Sequence, residues 1–449
     1  MLKLNKLLLN QGLWTIRIWI SKNTSVENVI ILYTLANIFK LSSVSGLLFS
    51  YIERCFPMVA ENENFLHLEF SLLEKVLASS QLNIHSEIEA FNAASAWLKT
   101  NAEVRSTFAK QLLLKIRFTL LSEHAIAHCL GEKSPFAENS DCVNLMEEVL
   151  SCKPNFRLPR YCEQSAFDVF SCGGYDLRER KNVASARQIR GNDPGEAEDL
   201  ADMTFERRQH QAVISRGEVY VFCGCDMKHR TVSPVEKYST RTNAWSKVAD
   251  MVDSRDLINA CAFADSIYVT GGFRGFFTIN SCLRFDTRDN SWREVAGMRG
   301  ERHSAASAVF NEQVVVSGGV DDNDSRLNTV ESYDVFADTW TPMPNMVYKK
   351  CGHSLIAVRN KLYSIHFHDD SEVFEKLSQT FVALKPQLDF YYHSRAVSLG
   401  NEIVIIEDNK PCVTLYDFDK NTWSVKSNRV LWKAQSFACV KFPNMKLIL

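Results

Sequence analysis

Residues 268–292 read YVTGGFRGFFTINSCLRFDTRDNSW. A β-branched and aromatic run ends in two glycines, a polar excursion follows, and a second run carries Phe285 with Trp292 seven places on. The pattern returns along the chain. YVFCG at 220–224 and VVSGG at 315–319 match the first half, and the aromatic spacing recurs as Tyr238/Trp245, Tyr333/Trp340, Phe374/Phe381 and Tyr416/Trp423. A turn of Asp, Asn, Ser or Thr lies inside each pair, as in KYSTRTNAW and SYDVFADTW, so each pair marks a hairpin. Paired glycines after a strand supply positive φ and let neighbouring backbones approach closely. Successive small-residue pairs stand about 48 residues apart, which is the period of a four-stranded propeller blade.

The registers Gly173-Gly174, Cys223-Gly224, Gly271-Gly272, Gly318-Gly319, His366-Phe367 and Glu407-Asp408 give six blades. The first lacks the aromatic pair and holds instead the polar stretch RERKNVASARQIRGNDPGEAEDLAD, which reads as a mobile loop. A ring of blades must leave no free sheet edge. FDVF at 167–170 opens the first blade at its second strand, while SFACVKF at 436–442 is an inner strand with no blade after it. The C-terminal strand is therefore expected to complete the first blade.

With 449 residues, 46% hydrophobic and 23% charged, the chain is long enough for two domains with their own cores. A net charge of −2 supplies no basic field for nucleic acid. Thirteen cysteines without a dense framework point to a reducing compartment. Lys6, Asn10, Gln11 and Arg17 interrupt the apolar N-terminus before it reaches bilayer length, so no membrane association is expected and the reading is cytoplasmic.

Between Val26 and Leu150 glycine and proline nearly vanish and the apolar period becomes helical. One stripe is Val29, Leu32, Leu35 and Ala36, broken near Ser42–Ser43; Ser86 and Glu87 open a helix with Phe91, Ala94, Trp97 and Leu98 on one face; another helix starts at Ser122. The run Leu82-Asn83-Ile84, Ser86-Glu87, Phe91, Ala93, Trp97, then Ile116-Arg117-Phe118 and Leu120-Leu121-Ser122, resembles a BACK domain. The propeller resembles Kelch repeats, entered at Arg157-Leu158-Pro159-Arg160. Together they resemble the kelch-like (BTB-BACK-Kelch) adaptors of cullin-RING ubiquitin ligases. About 25 residues precede the first BACK-like helix, too few for a BTB fold, so that domain reads as missing or truncated. The expected architecture is multidomain, α plus all-β: a remnant or linker at 1–25, a BACK-like helical domain at 26–152, a linker at 153–166, and a six-bladed Kelch propeller at 167–449.

Basic residues stand four places after successive methionines: Met203/Arg207, Met251/Arg255, Met298/Arg302 and Met346/Lys350. Each lies sixteen residues before the first member of the next small-residue pair. Equivalent positions in a propeller share radius and height, so the column is expected to form an arc of positive charge around one mouth. In kelch-like adaptors of acidic substrates, arginines at this register line the substrate pocket, so the resemblance implies Arg207, Arg255, Arg302 and Lys350 as substrate contacts. The loop FRGFF adds Arg274 and Phe276, a pairing of aromatic and arginine typical of binding hot spots. Lys228, His229 and Arg230, and Asp321, Asp322 and Asp324, stand in the equivalent loops of two other blades. The Tyr/Trp column reads as structural wedge filling, each ring worth about 2–3 kcal/mol on burial.

HxH at His366/His368 with Asp369 and Asp370, the i,i+4 pair His124/His128, and CxC at Cys223/Cys225 each lack the further ligands of a defined metal site. No Walker loop, nucleophile elbow or catalytic carboxylate pair occurs, and the chain reads as a non-enzyme without cofactor. Redox sensing by a cysteine has a family precedent and requires a lowered thiolate pKa. What the resemblance implies is a substrate-recognition adaptor of a cullin-3 ubiquitin ligase, its propeller holding a protein substrate that carries an acidic segment. The alternatives are an actin-binding or cytoskeletal scaffold, and a BTB-less regulator that binds substrate without recruiting cullin.

Overall fold

The structure, a computed structural model, describes residues 19–443 except 21–22, 85, 119–120, 122, 130, 132–133, 138, 152–166, 177–178, 190–196, 241, 359–360, 367–370, 376–377, 385–394, 400–401, 407–411, 418–419, 421, 428–433 and 436–437. The expected remnant before Ser25, the 153–166 linker with its Arg-Leu-Pro-Arg, and the Glu407-Asp408 pair fall wholly or mostly outside the described residues. Two compact units are present, divided near residue 166, with the segment 120–128 grouped with the second.

The first unit is helical. Its central helix, Glu87–Thr100, starts where the Ser86 side chain accepts the Ile88 N–H, with Glu87 and Glu89 in the first turn. It buries Ile88, Phe91, Ala94, Trp97 and Leu98. The Trp97 indole donates to the Leu68 carbonyl at 2.9 Å, and the Arg105 guanidinium lies 4.1 Å above its ring. The first helix, Val29–Ile38, buries Val29, Ile30, Tyr33 and Ala36. The expected stripe through Leu32 and Leu35 is thus rotated, and Leu35 is exposed. An all-apolar stretch such as VIILYTLANI fixes helix without fixing which face turns inward. No helix among the described residues is long and apolar enough to cross a membrane.

The second unit contains six four-stranded antiparallel sheets. The third blade is typical: Asn259–Phe263, Ser266–Thr270, Cys282–Asp286 and Ser291–Val295, hydrogen-bonded in that order. First strands of neighbouring blades meet one another, so they surround the axis. The seven-residue spacing makes each aromatic pair direct cross-strand partners, as in Phe285↔Trp292 and Tyr333↔Trp340. Ring centroids lie 4.9 and 5.0 Å apart in these two pairs.

The same hairpins also fasten blade to blade. Trp245, Trp292 and Trp340 donate their indole N–H to Ala201, Ala249 and Ala296 of the preceding blade at 2.7–2.9 Å. The N–H groups of those alanines are accepted by Asn243, Asn290 and Asp338 in the hairpin turns. These turn residues sit at φ near +50°, a conformation Asn and Asp tolerate better than most side chains.

The ring closes as the sequence anticipates: Ala438–Pro443 lies beside Phe167–Cys172 as the inner strand of the first blade. The polar stretch after Leu177 is not the loop that was expected. It contains the blade's two outer strands, Ala186–Ile189 and Ala197–Leu200. Val169 pairs with Ile189 and Cys172 with Ala186, and Ala186 and Ile189 are buried while Arg187 and Gln188 between them are half-buried. Arg187 reaches Asp199 across the pair, so the charges that masked the strand stabilise its edge.

Ending the chain before Ala438 should open the first blade and abolish a single cooperative melt of the propeller, followed by circular dichroism. A truncated chain with an unchanged melting curve would contradict closure by this strand.

Candidate partner-binding face of the propeller

Asn259 opposes Thr270, so the start of each first strand lies beside the end of the second. The loop entering a blade and the loop after its small-residue pair therefore share one mouth. Short bridges join them: Arg208 with Cys225, Asp256 with Phe273, and His303 with Val320.

The cation column lies beneath this mouth and is not displayed on it. Arg207 and Arg255 are 0% exposed, Arg302 2% and Lys350 0%. The expected arc of exposed positive charge is therefore corrected. Nη1 of Arg207, Arg255 and Arg302 donates to the carbonyls of Cys223, Gly271 and Gly318 at 3.0–3.1 Å, so the sixteen-residue spacing is the span of a hydrogen bond. A second carbonyl, of Pro234, Ser281 or Thr329, accepts from the same nitrogen. Nη2 then pairs with Glu236 at 2.7 Å in the second blade and Glu331 at 2.5 Å in the fourth, while Lys350 Nζ reaches Glu372 at 2.8 Å. These glutamates also accept the backbone N–H after the loop methionine, from Thr204, Arg299 and Val347. Burial lowers the Arg207 and Arg302 pKa values and the paired glutamates oppose that shift. A guanidinium committed in this way is held inside the blade and has no free face for a partner's carboxylate.

The column residues also tie neighbouring blades. The carbonyl of Arg302 accepts the N–H of Gly272 in the preceding blade, and that of Lys350 accepts from Gly319. The approach explains the glycines: a Cβ on Gly271, at φ +58°, would lie 2.2 Å from the Arg302 carbonyl oxygen.

The third blade breaks the pattern. Leu283 stands where the second, fourth and fifth blades have glutamate, and it is buried. Arg255 Nη2 is left with no hydrogen-bond acceptor, its nearest carboxylate oxygen being Oδ2 of Asp253 at 3.4 Å. The same oxygen accepts from Arg274 Nη1 at 3.0 Å.

Arg274 belongs to the loop FRGFF, which forms a small hairpin of Phe273–Arg274 and Phe277–Thr278. The Arg274 side chain is 57% exposed. Phe276 is 88% and Phe277 65% exposed, whereas Phe273 turns inward against His303 at 5.7 Å. The hairpin is braced from the next blade by Asp322, which accepts the Thr278 N–H at 2.9 Å. Exposed Phe205, Met227, Val252, Val347 and Tyr348 belong to the loops of this same mouth. In the second blade Arg230 is paired with Asp226 and Arg208 contacts His229; in the fourth, Asp321 caps the N–H groups of Asn323 and Ser325. Thus the structure keeps Arg274 and Phe276 together at the surface and takes the four column residues away from it. Sequence reasoning passed over Asp253, although its place two residues before Arg255 was visible.

A cavity of about 330 Å³ on the axis is lined by Gln209, Asn259, Ser304, His353 and Arg395 among others. The Ser317 hydroxyl lies 2.8 Å from His353 Nε2, yet Ser317 is fully buried and burial holds His353 well below its ordinary pKa, which makes it a poor general base. Burial also raises the thiol pKa of Cys223 to about 12, and that of Cys225 too, the opposite of a redox-poised thiolate. Among the described residues no three His, Cys, Asp or Glu side chains converge as a metal site; His368, Asp369 and Asp370 lie outside the described residues.

These observations define a BACK-type helical module joined to a Kelch-type propeller. The family model described as "BACK: BTB And C-terminal Kelch" matches residues 29–131, and the "KLHDC2/KLHL20/DRC7 Kelch-repeats domain" matches residues 186–365. The chain is 26% identical to kelch-like protein 13 of Homo sapiens over 271 residues, 57% of this chain and 40% of that protein. It is 27% identical to kelch-like protein 7 of Rattus norvegicus over 361 residues, 77% of this chain and 60% of that protein. The matched region thus spans between two-fifths and three-fifths of these relatives. Over its helical and propeller regions the chain is similar to kelch-like proteins.

Two buried histidines give the propeller a defined acid response. Burial, aided by the Arg207 charge, pushes His210 down to about 3, and burial keeps His353 low as well. Both are neutral when folded and take up a proton on unfolding below pH about 6.5. The unfolded state then binds more protons, so their contribution is complete above pH about 6.5 and is lost as pH falls, by up to ~1.4 kcal/mol per unit for each residue. His210→Gln should flatten the fall in unfolding free energy between pH 6.5 and 5 by an amount approaching ~1.4 kcal/mol per unit. An unchanged slope would contradict a neutral, buried His210.

Proposed function

We propose that this chain is the substrate-recognition component of a cullin-3 RING ubiquitin ligase, working in the cytoplasm. The propeller binds a protein substrate and performs no chemistry on it. The observation that carries this reading is the braced, aromatic hairpin at one mouth, with Phe276, Phe277 and Arg274 exposed while the scaffold's own cations are internally paired. Large apolar side chains beside an arginine on a rigid frame fit a protein-binding hot spot. Similarity to kelch-like proteins supports the ligase context. Holding substrate near the charged conjugating enzyme raises the effective concentration of its lysines.

Affinity capture of the tagged chain from cells, with Phe276→Ser/Phe277→Ser as the paired variant, tests this. Cullin-3 should be recovered with both chains, and a set of substrate proteins with the unaltered chain alone. Substrate without cullin-3 would replace the ligase reading by that of a regulator, and co-sedimentation with filaments by that of an actin scaffold. Identical protein sets from both chains would remove the hairpin from recognition.

A further inference from the structure

The cation column has one irregular member, and it lies directly under the exposed hairpin. In the second and fourth blades the column guanidinium receives a glutamate of its own, two residues before the cross-strand aromatic: Glu236 before Tyr238 and Glu331 before Tyr333. Glu372 before Phe374 serves Lys350 in the same way. Leu283 before Phe285 supplies nothing to Arg255. Arg255 is 0% exposed, its Nε and Nη2 have no hydrogen-bond acceptor, and a single oxygen, Asp253 Oδ2, lies between it and Arg274. One carboxylate therefore serves two guanidiniums, one buried and one exposed. The other carboxylate bonded to the hairpin, Asp322, is spent on the Thr278 N–H from the neighbouring blade.

A buried guanidinium that lacks its carboxylate is costly, and full pairing relieves that cost. Both guanidiniums face the same oxygen, so Asp253 can turn Oδ2 fully onto Arg255 by leaving Arg274. A second carboxylate arriving from outside would take its place on Arg274, where a two-pronged guanidinium–carboxylate contact is available. Such an exchange compensates the incoming group's desolvation by improving a pair already inside the protein. Phe276 and Phe277 stand on the same hairpin to receive an apolar neighbour.

We propose that the partner of this face presents an Asp or Glu side chain next to a large apolar side chain, that the carboxylate docks on Arg274, and that Asp253 then turns onto the buried Arg255. The inference rests on the hairpin being the recognition surface and adds the chemistry of what it recognises.

The test is panning of a displayed random peptide library against the full chain, with subtraction against Phe276→Ser/Phe277→Ser. Peptides that need the hairpin should be enriched in Asp or Glu adjoining an aromatic or aliphatic residue. Hairpin-dependent peptides with no acidic enrichment would overturn the carboxylate proposal and leave the docking surface standing. A library yielding no hairpin-dependent peptide would overturn the docking surface, and this proposal with it. Two further variants examine the exchange in synthetic copies of the enriched peptides. Arg274→Gln should weaken their binding about tenfold. Leu283→Glu installs the glutamate of the second, fourth and fifth blades, so Arg255 is satisfied and Asp253 stays on Arg274; affinity should fall severalfold while the melting temperature holds or rises. Unchanged affinity in a folded Leu283→Glu chain would overturn the exchange, and unchanged affinity in Arg274→Gln would overturn the anchor.

Discussion

The propeller depends on a seam of buried cations, each arginine holding two carbonyl oxygens and the cations that enter the second, fourth and fifth blades each holding a glutamate. At the boundary before the fourth blade, Arg302 holds Gly318 and Thr329 through Nη1 and Glu331 through Nη2, while its own carbonyl accepts Gly272 of the third blade. One residue thereby fixes the strand end of its own blade and the turn of the previous one. The glycine pairs follow from this constraint, because a Cβ at Gly318 would sit 2.6 Å from the Lys350 carbonyl oxygen. The tryptophan-to-alanine clasp repeats the same logic at the hairpin end of the second, third and fourth sheets.

Function is then assigned by what the seam leaves over. Cations used inside the ring are unavailable to a partner, and the large apolar side chains that remain displayed at this mouth are those of the third blade's hairpin and of adjoining loops, beside charged residues such as Lys228 and Arg230. The scaffold contributes rigidity, which limits the entropy lost when a partner is bound. The blade whose column arginine lacks a glutamate is also the one that carries the exposed aromatics, so Leu283 and FRGFF fall in the same repeat.

Much of this was legible in the chain. Aromatic pairs at a spacing of seven are cross-strand neighbours by geometry, and paired glycines mark positions where a side chain cannot fit, so blade number, hairpin placement and closure by the last strand were all readable. The column was also readable, but its direction was not. A spacing of sixteen is compatible with an exposed arginine and with one folded back onto a carbonyl, and the choice turns on glutamates such as Glu331 that come 29 residues later. The outer strands of the first blade escaped notice because Arg187, Gln188, Glu198 and Asp199 erase the apolar alternation that identifies a strand.

The most direct measurement is a double-mutant cycle on Arg302 and Glu331, each changed to leucine, with unfolding free energies taken from urea denaturation. A buried, mutually dependent pair should show a coupling on the order of 3 kcal/mol, each single change costing far more than its share of the double. Additive effects within about 0.5 kcal/mol, with both single variants nearly as stable as the parent, would place Arg302 in solvent and contradict the account.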